Sequence, residues 1–455
     1  MSAFDGRSAV RDGRSAAASA RPGRRMSPGA LLTLIGTGAA TAAALGFIGA
    51  PTPMRLDIPL IAHLAGLLAG YGVVVMVALM SRVPALERGV GADRMARWHG
   101  WGGRLVIALI LIHGIAATIG WMQLRGLDAL SAMVEVIGLP WIGAATVASV
   151  MLLGIGYASM RAARRKLGYE NWHLIHLATY VAIGLSFPHE LAGPDLAGIP
   201  VFQVFWSLLY TISFGLLLRY RVLEPLLQFL RHRMRVERVV TEADGVTSIV
   251  IRGRHLPELQ AESGQFFRWR FLTRTGWRAA NPFSLSAPPS EHHLRLTVKA
   301  VGESTRAIQT MKVGTRVFAE GPYGAMTEHR RTGSGVLLIA GGVGITPMRA
   351  LFESLDIDGD QLTLLYRASN EAEIIFRDEL EEIAIHRGAH LIYVLGPSAD
   401  PANAMSGRNL AGWVPDLADR DVYMCASPRF SEAARAGLRE AGVSASRVHQ
   451  EEFAF

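Results

Sequence analysis

Long apolar runs between residues 28 and 223 constrain this chain more than any other feature. Six of them are long enough to cross, as helices, a hydrocarbon layer about 30 Å thick. The predicted spans lie near 28–50, 59–81, 98–121, 139–160, 172–189 and 201–223. Residues from 232 onward have the charged, alternating pattern of a soluble protein. The sequence therefore predicts a six-helix transmembrane bundle, over 28–223, followed by a soluble part.

Most basic residues of this predicted bundle lie in alternate loops. They cluster in the terminal segment 1–27 and in the stretches 82–97, 161–166 and 219–235. The other loops contain only Arg55 and Arg125. Because positive loops stay on the cytoplasmic side, both termini and the soluble part are expected in the cytoplasm. We predict that 1–27 is a disordered basic tail with an orienting role, and no nucleic-acid partner is expected.

Two predicted spans carry histidines at matching depths. His99 and His113 on the third span lie near one face of an ideal helix, about 21 Å apart along its axis. His176 and His189 occupy the fifth span, which runs in the same direction. An imidazole in hydrocarbon needs a hydrogen-bond partner or a metal, because an unpaired polar group is costly there. We predict two haem sites with paired imidazole ligands, His99 with His176 inside and His113 with His189 outside.

The spacing on the fifth span fits less well. An ideal helix would leave His176 and His189 about 140° apart, so this span must be distorted, for which Pro188 and Gly184 offer a place. His173 is a second candidate for the inner site. The alternative interpretation is that each histidine caps a helix or snorkels at its end.

The soluble part begins with short alternating segments separated by glycine-rich turns. This pattern predicts an antiparallel β-barrel domain over 233–330. Its motif NPFSLS, at 281–286, is an extended stretch that could present Ser284 and Ser286 to a ligand. Ser304 and Thr305, which follow Gly302, predict a short helix whose amino end could hold phosphate.

Residues 331–455 alternate strands and helices, which predicts an α/β domain with a parallel sheet. A buried strand at 336–340 leads into a glycine-rich turn, and the helix after it favours a dinucleotide pyrophosphate. The residues expected to bind are the glycines Gly341, Gly342 and Gly344, with Thr346 as helix cap and Pro347 opening the helix.

The next predicted strand ends in Arg367 and Ser369, where a 2′-phosphate would be accommodated. This favours NADPH over NADH, although Arg367 could instead be an ordinary surface residue. The single cysteine, Cys425, excludes an internal disulfide and an iron–sulfur cluster with four cysteine ligands.

From residue 28 onward the chain resembles the superfamily of ferric reductases and NADPH oxidases. The histidine spacings and the motifs NPFSLS, AGGVGITP, YMCASP and EEFAF carry the resemblance, in this order. It implies a membrane domain with two b-type haems, joined to a ferredoxin-reductase-like module for FAD and NADPH or NADH.

The resemblance also implies roles for individual residues. Asn281, Pro282, Phe283 and Ser284 would contact the flavin, although the family usually has His or Arg at the first position. Gly302, Ser304 and Thr305 would lie near its pyrophosphate. Cys425 would lie beside the nicotinamide and Phe455 would stack on the flavin. A cysteine simply packed in a strand is the alternative for Cys425.

The expected activity is electron transfer from cytoplasmic NAD(P)H through FAD and two haems to an outer acceptor. Dioxygen, a ferric chelate and a partner protein all remain open as acceptors, as does a homo-oligomer. The expected location is a bacterial-type plasma membrane, with lipid as a partner. The alternatives are a haem-binding redox subunit or sensor, and a flavin reductase that is merely anchored.

Overall fold

The computed structural model describes residues 26–48, 57–167, 169–193, 196–274, 276–277, 280–397 and 400–452. Phe455 and residues 1–25 of the predicted tail lie outside the described residues. The described chain divides into two compact units between Leu223 and Glu224. This division falls at the end of the predicted membrane domain.

The first unit is helical. Helices α1 to α5 are Pro28–Ile48, Ile58–Leu79, Pro84–Val90, Ala92–Arg125 and Ala129–Ile137. Helices α6 to α10 are Ile142–Ala158, Arg161–Leu167, Tyr169–Leu177, Thr179–Ala192 and Pro200–Leu218. A π-helical turn covers Arg219–Leu223. The long helices α2 and α4 pack side by side, and the buried indole of Trp206 lies in the core between α10 and α2.

Within the described residues, four helices are long and apolar enough to cross a membrane. A fifth is added if α5 and α6, which meet at 106°, count as one broken span. The predicted count of six is therefore not confirmed. The predicted fifth span consists of α8 and α9, which have 9 and 14 residues and are each too short to cross alone.

A break between α8 and α9 interrupts the stretch for which the histidine spacing predicts a distortion. It lies at Ala178, two residues after His176, and not at Gly184 or Pro188, which both lie inside α9. Helix α9 continues through Pro188. The interruption between the two helices therefore lies close to the inner histidine rather than to the outer one.

The second unit begins with helix α11, Glu224–His232, and continues with antiparallel strands. Strands β1 to β6 are Arg235–Ala243, Val246–Arg252, Phe266–Phe271, Asn281–Ser284, His293–Lys299 and Val317–Tyr323. They form two three-stranded sheets of order β1-β2-β5 and β4-β3-β6. Helix α12, Glu303–Gln309, follows β5. Single bridges connect the two sheets over a shared apolar core, and their closure into a barrel remains a prediction.

The rest of this unit is an α/β domain. Strands β7 to β11 are Val336–Gly341, Leu362–Ala368, His390–Leu395, Asp421–Ala426 and Val448–Glu452. They form a parallel sheet of order β11-β10-β7-β8-β9. Helices α13 to α16 are Ile345–Ser354, Arg377–Arg387, Gly407–Trp413 and Pro428–Glu440. Strands that are buried along almost their whole length, such as β7 and β8, are typical of a parallel sheet that has helices on both faces.

Candidate electron-transfer sites

The outer histidine pair joins α4 to α9. The ring centroids of His113 and His189 are 5.9 Å apart, with an interplanar angle of 45°. Nδ1 of His113 lies 2.8 Å from the carbonyl oxygen of Ala62 on α2. If Nδ1 donates to this carbonyl, Nε2 keeps its lone pair and is the nitrogen free to bind a metal.

The inner pair joins α4 to α8 with the same separation. The ring centroids of His99 and His176 are also 5.9 Å apart, at an interplanar angle of 74°. Nδ1 of His99 lies 3.3 Å from the carbonyl oxygen of Met76. Nδ1 of His176 is buried without a hydrogen-bond partner in the described part of the chain. The ring that faces His99 is thus that of His176. The ring of His173 instead lies beside Trp172, with the two ring centroids 6.4 Å apart.

The separation of both pairs suits two imidazoles on opposite faces of one metal ion. With metal–nitrogen bonds of about 2.0–2.1 Å, the two ring centroids would lie about 6.3 Å apart. Within the described residues, no group of three or more histidine, cysteine or acidic side chains is arranged for a metal ion. Each pair therefore offers two imidazole ligands, and such a pair would suit a haem, in which the porphyrin would supply the remaining ligands of the iron.

A polar cluster beside the outer pair was not predicted from the sequence. The carboxylate of Glu190, next to His189, accepts hydrogen bonds from Nε1 of Trp206 at 2.8 Å and from the hydroxyl of Tyr210 at 2.8 Å. Both donors are on α10, so this cluster ties α9 to α10. An acidic residue in an apolar helix was the signal that could have revealed it, because such residues need partners in a membrane.

Two glycines of α2 leave room for the side chains of His113 and Glu190 to pack against this helix. A Cβ atom on Gly66 would lie 2.8 Å from Nδ1 of His113, and one on Gly70 would lie 2.8 Å from Oε2 of Glu190. Contacts this short would force the imidazole or the carboxylate to move. Glycines four residues apart on one helix face are a common signature of close helix packing in membranes, although the sequence does not say what they pack against.

In the second unit, the two predicted flavin segments lie together. The hydroxyl of Ser304, at the start of α12, donates to Oδ1 of Asn281 on β4 at 3.1 Å. Ser284 is buried, and its Oγ has no hydrogen-bond partner in the described part of the chain. Pro282 is exposed and Phe283 is half-buried. An unpartnered hydroxyl beside an exposed segment suits a polar ligand such as a flavin.

The other members of this set have local structural roles. Oγ1 of Thr305 accepts from the backbone N–H groups of Val301 and Gly302, both at 2.9 Å, and thereby stabilises the start of α12. Gly302 has open space around the position of a Cβ atom. Ser286 is fully buried and its Oγ accepts a hydrogen bond from Thr297 at 2.8 Å, so it is part of the core and does not face a ligand.

The glycine-rich turn after β7 is shaped by close contacts with β10. A Cβ atom on Gly344 would lie 2.0 Å from the carbonyl oxygen of Cys425, and one on Gly341 would lie 2.9 Å from Cβ of Ala426. Gly342 has φ +55°, in the left-handed region that favours glycine. The prediction that Thr346 caps the helix is wrong, because α13 begins at Ile345 with Gly344 as its cap.

Thr346 and Pro347 instead lie buried in the first turn of α13. Proline is compatible with this turn because the N–H groups there have no partner within the helix. The phenol of Tyr366 on β8 also holds the glycine turn, since its hydroxyl donates to the carbonyl of Gly342 at 3.3 Å. Burial raises the pKa of Tyr366 to about 12, so the hydroxyl remains a donor at neutral pH.

Arg367 is neither a surface residue nor directed at open space. Its side chain is buried, and its guanidinium donates to the carbonyls of Val394 at 3.2 Å and Gly396 at 2.5 Å. Ser369 is exposed beyond the end of β8. Cys425 is fully buried in the apolar core of the α/β domain, as the packed-strand alternative requires. Its placement beside a nicotinamide stays a prediction.

Comparison with known families finds one family model that matches part of each half of the chain. Residues 65–187 match the family model described as "Ferric reductase like transmembrane component". Residues 338–436 match the "Oxidoreductase NAD-binding domain". The first match includes three of the four paired histidines, His99, His113 and His176, and ends before His189. The second match includes the glycine-rich turn and Cys425.

Curated relatives match about half of the chain. The ferredoxin reductase component of 3-ketosteroid-9-alpha-monooxygenase from Mycobacterium tuberculosis is 32% identical over 234 residues, which are 48% of this chain and 64% of that protein. The flavohemoprotein of Deinococcus radiodurans is 29% identical over 48% of this chain and 58% of that protein. The chain thus spans less than two thirds of the length of these relatives.

Among solved structures, the FAD/NAD-binding domain of a nitric oxide dioxygenase from Vibrio cholerae is 23% identical, with a TM-score of 0.41. It covers 49% of this chain and 99% of that one. The two family matches indicate a membrane oxidoreductase in which a ferric-reductase-like transmembrane part is followed by an NAD-binding domain. The chain has the domain architecture of the ferric reductase and NADPH oxidase superfamily.

Proposed function

We propose that this protein passes electrons from NAD(P)H in the cytoplasm, through FAD and two b-type haems, to an acceptor on the outer face of the membrane. One observation carries the proposal: two pairs of facing imidazoles, each with centroids 5.9 Å apart, lie along the same helix α4. His99 and His113 are separated by about 21 Å of helix, so the two pairs lie at different depths.

When bound, FAD accepts the electron pair of a nicotinamide hydride and releases electrons singly, as haem iron requires. The residues of this chain bind and orient these groups. In the first unit, the carbonyls of Met76 and Ala62 hold the rings of His99 and His113 in place. In the second unit, the partly exposed segment Asn281–Ser284 and the glycine turn at 341–344 would hold the flavin and the nucleotide.

Both termini are proposed to face the cytoplasm. The support is the alternation of basic and non-basic loops along the chain, which places positive charge on one side of the membrane. This orientation would bring the second unit to the compartment that contains NADH and NADPH. The acceptor outside is a small molecule, either dioxygen or a ferric chelate, and a protein partner is the alternative outcome of the test.

The test uses full-length protein purified in lipid nanodiscs. Haem per chain is measured by the pyridine haemochrome method, and the haem absorption bands are followed without oxygen after FAD and NADH or NADPH are added. We expect about two haems per chain, both of which become reduced. Ferric-chelate reduction under argon and superoxide formation under air then identify the acceptor. A protein with one haem or none, or haems that stay oxidised, would contradict the proposal.

A further inference from the structure

We propose that the nucleotide site of this chain selects NADH over NADPH, against the expectation from Arg367 in the sequence. This inference rests on the proposed function, in which the second unit oxidises a nicotinamide nucleotide. The two nucleotides differ only by a phosphate on the 2′-oxygen of the adenosine ribose. The choice between them therefore depends on the charges near that oxygen.

The sheet register places the relevant region. Gly341, the last residue of β7, is the register partner of Arg367 on β8. In open α/β sheets, a dinucleotide lies across the carboxyl ends of the strands, with its pyrophosphate at the first glycine turn. The adenosine ribose then lies beyond the neighbouring strand. In this chain, the loop at that position is 369–373.

Arg367, the cation expected to bind the 2′-phosphate, is already engaged. Its guanidinium donates to the carbonyls of Ala368, Val394 and Gly396, and only 8% of the residue is exposed. These bonds fasten the end of β9 to β8. A phosphate could recruit this guanidinium only by leaving buried carbonyls without donors, which costs free energy.

The loop itself is acidic. Its exposed residues include Glu371 and Glu373. The carboxylate of Glu373 accepts a hydrogen bond from the backbone N–H of Ser369 at 3.2 Å, so it is held across the loop at the end of β8. A carboxylate here can accept a hydrogen bond from a ribose 2′-hydroxyl, whereas it repels a phosphate dianion.

Arg377, the cation that follows the loop, does not cancel the negative charge of the loop. Arg377, at the start of α14, lies 3.8 Å from Glu371 and 3.9 Å from Glu381. Its guanidinium also lies over the ring of Tyr393, 5.2 Å from the centroid. Arg377 is thus shared between two carboxylates and an aromatic face, and the loop keeps its acidic character.

The test measures reduction of bound FAD by each nucleotide, without oxygen, in a stopped-flow instrument. We expect the second-order rate constant for flavin reduction to be about ten- to a hundredfold higher with NADH than with NADPH. Glu373→Gln keeps an acceptor for Ser369 but removes the charge, so it should raise this rate constant for NADPH by about tenfold. Glu382→Gln, which removes an exposed charge on α14 outside the loop, is the matched control and should leave the ratio unchanged.

An equilibrium measurement provides a second readout. Calorimetry on the full-length protein should show tighter binding of 5′-AMP than of 2′,5′-ADP, and Glu373→Gln should narrow this gap. Equal or tighter binding of 2′,5′-ADP, together with NADPH reducing the flavin as fast as NADH, would overturn the selection of NADH and leave the proposed function intact. If neither nucleotide reduced the flavin, the proposed function itself would fail.

Discussion

The inner and outer histidine pairs have the same separation but are supported by different interactions. Both have ring centroids 5.9 Å apart. In the outer pair, His113 contacts a backbone carbonyl at 2.8 Å, and the residue after His189 is fixed by two hydrogen bonds to α10. The bond to the Ala62 carbonyl is directional, so it restricts the rotation of the His113 ring, and the bonds of Glu190 fix the part of α9 that carries His189.

The inner pair has one hydrogen bond to a backbone carbonyl, from His99 to Met76 at the longer distance of 3.3 Å, together with ring contacts. His176 stacks on Trp172, with centroids 5.2 Å apart and an interplanar angle of 23°. The guanidinium of Arg164 lies 4.3 Å from the centroid of the same indole. Stacking tolerates sliding more than hydrogen bonding does, and the helix break at Ala178 is nearby. We therefore expect the outer site, which has more hydrogen bonds around its histidines, to be the more rigid of the two.

Removing the ligands should produce the largest effect and show the order of the two sites. His113→Ala and His189→Ala should each lower haem content from about two to about one per chain, and the remaining haem should still be reduced by NADH. His99→Ala and His176→Ala should lose one haem as well, but the remaining haem should stay oxidised, because the route from the flavin is broken. Pyridine haemochrome assays and anaerobic spectra measure both outcomes.

The control for this prediction is His173→Ala, which removes the imidazole next to Trp172 and should retain both haems. Loss of a haem in this variant, with no loss in His176→Ala, would show that the inner ligand is assigned to the wrong histidine. Identical behaviour of the inner and outer variants would remove the distinction between the sites.

Removing the Glu190 carboxylate should affect the outer site alone. Glu190→Leu leaves the donors of Trp206 and Tyr210 without their acceptor, at a cost of about 1–3 kcal/mol for each group. We expect loss of the outer haem and a lower unfolding temperature, while the inner haem is retained. Glu190→Gln keeps a carbonyl acceptor. Its haem content and unfolding temperature should therefore lie between those of Glu190→Leu and those of the parent protein. Equal loss of both haems in Glu190→Leu would mean that the cluster supports the whole bundle and not one site.

Changing the stacked indole should give the smallest effect, at the inner site. Trp172→Leu removes the aromatic face beneath His176 and should weaken haem retention there by about 0.5–1.5 kcal/mol. Trp172→Phe keeps an aromatic ring and is the matched control. The measurement is haem release during heating, followed at the absorption bands of the two sites. Earlier release of the outer haem would contradict the assignment of Trp172 to the inner pair.

The candidate site in the first unit could be predicted from the sequence to an unusual degree. Imidazoles in apolar helices have few alternatives to a partner or a metal, so spacing alone pointed to His99, His113, His176 and His189. The supports were not predictable in the same way. Glycines such as Gly66 are common in membrane helices, and only the packing of α2 against α4 shows which of them face His113.

The second unit was less predictable at the level of single residues. Alternation and turn patterns predicted its antiparallel strands and parallel sheet. The direction of the Arg367 side chain could not be predicted, because a cation at the end of a strand can face a ligand or bind neighbouring carbonyls. The helix start after β7 was also misplaced, since a buried threonine in a first turn has the same sequence signature as a cap.

The sequence by itself determined the kind of protein: an apolar helical half with paired histidines, and a reductase half with nucleotide motifs. This information is local, because hydropathy, histidine spacing and glycine turns depend on residues close together in the chain. The tertiary structure alone decided which residues hold the histidine helices and the nucleotide motifs in place. These residues include Glu190, Tyr366 and the carbonyls that bind Arg367. These contacts join residues far apart in the chain, and their partners are chosen by packing, which no short stretch of sequence encodes.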